Sequence, residues 1–303
     1  MSERSEPVRL GGEAGGDAQA LVSPVGASLQ QLRVDGVDLV CGSPSGPVGA
    51  SGAVLVPWPN RVRGGRWILN GEPQRLDPTE PSSGNALHGL VAATTFSVVR
   101  HERDAVEFAA AVRHPRGYPF DLDVIVSYRL VPSGIASTIS VVNRGPGAAP
   151  VAVGVHPYLR VGTAASDDLL LTVQAERTLL LGDDNLPRGE LAVSGTSFDL
   201  RTPTPLVAAP AHAAYTRLHL VHGDVRLTLS DRGTGRAAEV WAEPRFRWAQ
   251  IYVTDELPGL KAGEVAVALE PMTAPPDALN SGSDLEWLGV DARWDLRWGV
   301  ALR

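Results

Sequence analysis

Apolar and polar positions alternate along most of the chain with the period of a half-buried β-strand. In Leu122–Leu130 the apolar set Leu122, Val124, Val126, Tyr128 and Leu130 falls on one face. Pro132-Ser133-Gly134 then turns the chain back into Ile135–Val142, a second run rich in strand-forming residues. Arg66–Asn70 and Glu72–Leu76 flank Asn70-Gly71, a pair that tolerates positive φ at both positions and predicts a two-residue hairpin. Val34-Asp35-Gly36-Val37 predicts another. Further strands are expected at Leu169–Val173, Val225–Leu229, Ala238–Trp241, Ala249–Val253, Val265–Leu269 and Trp294–Leu302. No stretch carries the apolar stripe of a long amphipathic helix, and 32 Gly and 24 Pro interrupt any attempt at one. The Pro- and Ala-rich Pro203–Ala214 reads as a long loop. The expectation is an all-β protein, with one large antiparallel β-sandwich over residues 19–303 behind a flexible, Gly- and charge-rich segment at 1–18.

Composition narrows the partners. The 303 residues carry 27 Lys+Arg and 34 Asp+Glu, a formal net charge of −7, which lacks the basic surplus that drives nucleic-acid binding. A local basic pocket is compatible with that total. The single Cys41 cannot close an intramolecular disulfide and fits a reducing, cytoplasmic setting. The first twenty residues lack the apolar core of a signal peptide, and runs such as Val151–Val155 are too short to cross a bilayer. A cytoplasmic monomer or homodimer with neither nucleic-acid nor membrane partner is expected. His219 and His222 lie three apart in a strand-like run, which points them to opposite faces, so no metal site is expected there.

Four segments carry polar groups that a plain sandwich does not need. Val56–Gly65 contains Pro57-Trp58-Pro59-Asn60-Arg61, where an amide and a guanidinium offer donors to hydroxyls or carboxylates. Solvated loop arginines would explain the same residues. Gly84–Leu90 holds His88 before a glycine, where backbone can approach closely; a structural histidine is the alternative. Val153–Leu159 ends an apolar run at His156, and Pro157 stops ladder pairing there, directing a titratable group off a strand end. Val267–Pro276 repeats that pattern with Glu270 before Pro271. A buried carboxylate needs a partner, which could equally be one of the many arginines.

Taken together and in this order, the segments resemble the aldose 1-epimerase (galactose mutarotase) family, most closely its bacterial branch, with Pro-Trp-Pro-Asn-Arg and Glu-Pro-Met-Thr as the shared motifs. The resemblance spans residues 20–302. It implies a β-supersandwich of the galactose mutarotase type and a sugar epimerase that works without cofactor or metal. Carried over motif by motif, it implies that Asn60, Arg61 and His88 bind sugar hydroxyls. It makes His156 the general acid with Tyr158 beside it, Glu270 the general base, and Gln250 of Gln250-Ile251-Tyr252 a sugar ligand. In Pro210–Thr216, His212 stands where relatives carry a sugar-binding Asp, so it loses a fixed negative charge and puts the hexose preference in question. Reference pKa values suggest an ionised Glu270 and, with a carboxylate nearby, a protonated His156. A hexose-6-phosphate epimerase of the same superfamily and a non-catalytic sugar-binding protein are the alternatives.

Overall fold

Two antiparallel sheets pack face to face around a continuous apolar core. The computed structural model describes residues 6–11, 18–42, 48–261 and 263–303. Among these, one sheet has 12 strands and the other 10. The larger runs Val8–Leu10, Ala18–Ser23, Ser28–Val34, Val37–Cys41, Tyr158–Leu159, Ala266–Met272, Trp248–Thr254, His212–Leu218, Ala175–Leu181 and Pro187–Ala192. Gly154–Val155 attaches beside Ala266–Met272 and pairs in turn with Val54–Leu55. The smaller sheet centres on Asp121–Val131, Gly134–Asn143 and Arg293–Leu302. The expected all-β sandwich is therefore observed.

Local chemistry accounts for the turns. Asn70 and Gly71 have φ of 51° and 86°, and Asp35 and Gly36 have 48° and 78°, as two-residue hairpins with right-handed strand twist require. The described residues contain a single short α-helix, Ala278–Ser281. Two expectations change. Val8–Leu10, inside the segment expected to be flexible, is an edge strand paired with Ala18–Ser23, because Val8 and Leu10 both reach the core; residues 1–5 and 12–17 lie outside the described residues. The expected loop Pro203–Ala214 is shorter, since His212–Ala214 belong to the strand His212–Leu218.

The strand Ala266–Met272 shows how the fold carries chemistry. Val267 and Leu269 enter the core between the sheets, and burying each contributes about 1.5–3 kcal/mol. With period two, Ala268, Glu270 and Met272 point to the opposite face. That face is flanked by small apolar clusters: Tyr158, Ala266 and Ala268 on one side, Ala214, Trp248 and Met272 on the other. Glu270 sits between them on a strand anchored from behind.

Candidate active site

One proline breaks the sheet where the titratable groups sit; the second, Pro271, does not end its strand as expected, because Pro271 and Met272 stay paired with Ala249 and Trp248. Pro157 separates Gly154–Val155 from Tyr158–Leu159, and Pro271 follows Glu270 on the strand that faces both. His156 stays fixed at this break because its N–H donates to Ala53 O at 3.1 Å and its carbonyl accepts from Gly52 N at 2.7 Å. The outcome brings His156 Nε2 and Glu270 Oε1 to 3.5 Å, at 5% and 2% side-chain exposure. That separation is too long for a strong hydrogen bond. Glu270 Oε2 and His156 Nδ1 are buried with no hydrogen-bond partner among the described residues. Buried polar atoms are ordinarily satisfied, so both groups keep hydrogen-bonding capacity that the described residues leave unused. Among the described residues no arginine forms an ion pair with Glu270, so the arginine partner weighed as the plain explanation is not found.

A second set flanks the paired strands Arg61–Val62 and Ala86–Leu87: Asn60 precedes the first and His88 follows the second. Asn60 and His88 adopt φ of 56° and 65° and brace one another: His88 N donates to Asn60 O at 2.9 Å, and Asn60 N donates to His88 Nδ1 at 3.3 Å. Gly89 makes the approach possible, since a Cβ there would lie 2.3 Å from Val56 O. With Nδ1 accepting, the neutral His88 ring carries its proton on Nε2. Asn60 Nδ2 donates to Gln250 Oε1 at 3.2 Å, and Gln250 lies directly across the ladder from Glu270. The rings of His88 and His156 stand edge to face at 5.1 Å. Arg61 is more committed than its motif suggests. Its Nε and Nη2 donate to the Glu80 carboxylate, at 2.6 Å for the shortest contact, and Ser83 and Asn85 also donate to that carboxylate.

Tyr158 packs its ring 5.1 Å from His156, and Tyr252 stands edge-on to His212 at 5.7 Å. His212 Nδ1 lies 2.9 Å from Asn185 Oδ1, which contacts it from the turn between Ala175–Leu181 and Pro187–Ala192. Asn185 and Glu80 were not singled out from sequence. Nothing local marks them, because each meets its partner only through the tertiary fold. One cavity of about 500 Å³ is lined by all eight candidate residues: Asn60, Arg61, His88, His156, Tyr158, His212, Gln250 and Glu270. Its size and few convergent polar groups suit a small ligand.

Burial governs the protonation states. It pushes Glu270 up to about 8, with the Arg61 charge opposing, and His156 down to about 4. Near neutrality the ligand-free pair therefore keeps its proton on the carboxyl, the reverse of the ionised Glu270 and protonated His156 expected from reference values. Burial also lowers His88 well below 6.5, helped by the charges of His156 and Arg61, and takes His212 to about 4. Glu80, held by the Arg61 guanidinium, falls to about 2. Tyr158 is pushed upward by burial and by the neighbouring Glu270, so its hydroxyl remains a donor.

Known proteins share this fold and its family. The profile of the aldose 1-epimerase family matches residues 12–296, a span that includes every candidate residue. The uncharacterized protein YihR of Escherichia coli (strain K12) is 29% identical over 275 residues, 90% of this chain and 86% of its own length. The GalM/aldose epimerase homologue from C. elegans superposes with a TM-score of 0.82 at 17% identity, over 98% of each chain. A galactose mutarotase-like protein from Clostridium acetobutylicum gives 0.82 at 18% identity, over 96% of this chain and 94% of its own. These structural likenesses speak to the fold, and the profile match supports a carbohydrate epimerase activity. On that match, this chain belongs to the aldose 1-epimerase family.

Proposed function

We propose that the protein is an aldose 1-epimerase, interconverting the α and β anomers of a free aldose. The observation that carries this reading is the buried Glu270–His156 pair, each with an unsatisfied polar atom, in one cavity with six further sugar-compatible side chains. Opening a hemiacetal removes the proton of O1 and delivers one to the ring oxygen. Rotation about C1–C2 and closure by the reverse transfers give the other anomer, with no net proton change. Glu270 takes the O1 proton and His156 protonates the ring oxygen; positioned acid–base groups contribute about 10²–10⁴-fold.

The pair must carry one proton to do this. In the free protein burial keeps it on Glu270. Proton on carboxyl and proton on imidazole are two arrangements of the same singly protonated pair. Sugar hydroxyls donating to Glu270 favour its carboxylate form and drive the shared proton to His156. Asn60, His88, Gln250 and His212 hold ring hydroxyls, and Tyr158 donates beside His156. Arg61, oriented by Glu80, contributes field and its remaining N–H groups. A free sugar is favoured over a phosphorylated one because Arg61 is paired to Glu80 and Arg63 to Asp277 at 3.3 Å, which neutralises the cations nearest the motif. Polarimetry on freshly dissolved α-D-glucose and α-D-galactose tests the proposal: accelerated approach to equilibrium with either sugar supports it, and the spontaneous rate with both overturns it.

A further inference from the structure

Beside the candidate active site lies a second cavity of about 500 Å³ on the same open face of the larger sheet. The two share Leu257 and Pro258 as a common wall. Cys41, from the second cavity, packs in the cluster of Tyr158 and Ala268 beside the first, so one surface runs continuously from Glu270 outward. Register explains what the second cavity presents. Arg9 pairs with Leu21, Leu21 with Gln31 and Gln31 with Cys41, a row of neighbours crossing the sheet; Arg33 stands two residues beyond Gln31 on the same face. Arg160, just after Tyr158–Leu159, supplies a third guanidinium, its Nε donating to Gly162 O at 2.9 Å.

These cations differ from those of the first cavity. Arg61 is neutralised by a carboxylate, whereas Arg9, Arg33 and Arg160 form no ion pair among the described residues. Asp38 and Glu264 also line the second cavity; Asp38 stands across the ladder from Arg33 and Glu264 accepts from Lys261 N at 3.0 Å, and neither forms an ion pair with an arginine among the described residues. Among the described residues, three guanidiniums against two carboxylates leave a positive excess on a chain whose net charge is −7. Guanidinium is the group best matched to a carboxylate or another oxyanion.

We propose that this cavity is a second subsite, which takes an oxyanion-bearing sugar unit linked to the reducing sugar at Glu270 and His156. The proposal rests on the epimerase reading and extends it: the substrate class becomes acidic saccharides with a free reducing end. A carboxylate on the outer unit sits against Arg9 and Arg33, while the anomeric carbon stays in the first cavity.

The test compares cellobiose with the acid made by oxidising its non-reducing hydroxymethyl group to a carboxylate, beside glucose and glucose phosphorylated on its hydroxymethyl group. Anomerisation rates are measured at low and high salt for the wild type and the double variant Arg9→Gln/Arg33→Gln. Both arginines are exposed, so the variant retains the fold, checked by its melting curve. The expected result is a KM about two- to fivefold lower for the acidic disaccharide than for cellobiose. The advantage shrinks in salt and vanishes in the variant, whose turnover of glucose is unchanged. Equal KM values in the wild type, an advantage that survives in the variant, or an advantage seen only with the hexose phosphate overturns the subsite. If no sugar is anomerised, the epimerase reading fails by itself. Calorimetric titration with the same two disaccharides then decides the subsite: tighter binding of the acid, lost in the variant, supports it, and equal binding overturns it.

Discussion

Replacing Glu270 by Gln should abolish turnover and at the same time change how stability depends on pH. The Glu270 carboxyl titrates at about 8 in the folded chain against an ordinary value of 4.5, and burial is the main cause. A group whose pKa is raised by folding contributes fully below its unfolded value, and that contribution is lost as pH rises through the folded value. Between 4.5 and 8 the unfolded chain has released a proton that the folded chain retains. Each pH unit in that window costs the wild type about 1.4 kcal/mol relative to a group that does not titrate, so by pH 7 the accumulated cost is about 3 kcal/mol. Gln has nearly the same shape and carries no such cost. Its amide brings a constant penalty of about 1–3 kcal/mol if one N–H stays unmatched, which shifts the difference without altering its slope. Urea unfolding of both proteins at several pH values from about 5 to 8 reads that slope directly. Stability of the variant relative to the wild type should climb with pH across the window. Parallel curves would show that Glu270 is ionised in the folded state and would refute the argument from burial.

Other consequences follow from the same geometry. The rate of anomerisation should be bell-shaped in pH, because the pair is productive with one proton: kcat/KM falls as pH drops through about 4 and as it rises through about 8. A single rising limb near the ordinary carboxylate range would contradict this. His156→Asn keeps a smaller polar amide but removes the acid, so turnover should fall about 10²–10⁴-fold with the circular dichroism spectrum unchanged. Asn185→Ala removes the contact to His212 Nδ1, and loss of one hydrogen bond of ordinary strength predicts a KM raised about two- to tenfold with kcat less affected. A fall in kcat alone would place Asn185 elsewhere in the cycle.

Much of this molecule was legible in the chain itself. The period-two runs around Leu122–Leu130 and the Asn70-Gly71 and Asp35-Gly36 turns are local features, and local features survive into the fold. His156 is legible for a similar reason, since the strand break at Pro157 takes it off the ladder, whereas Glu270 and Pro271 stay inside the paired strand Ala266–Met272. What escaped depends on tertiary burial or distant pairing. The proton on Glu270 is set by loss of solvent, which reference pKa values omit. The hold of Glu80 on Arg61 joins positions 19 residues apart in an irregular loop region, and Asn185 meets His212 from 27 residues away. Val8–Leu10 was hidden by its short length and Gly-rich surroundings, and the strand start at His212 by the prolines before it.

The central claim is that Glu270 and His156 together move protons on a bound aldose. Magnetisation exchange between the anomeric proton resonances of α- and β-D-glucose at equilibrium measures it most directly, because it detects interconversion with no net reaction. The account predicts cross-peaks that grow with wild-type protein and vanish with Glu270→Gln and with His156→Asn, while both variants still bind the sugar. Exchange at the wild-type rate in either variant would contradict it.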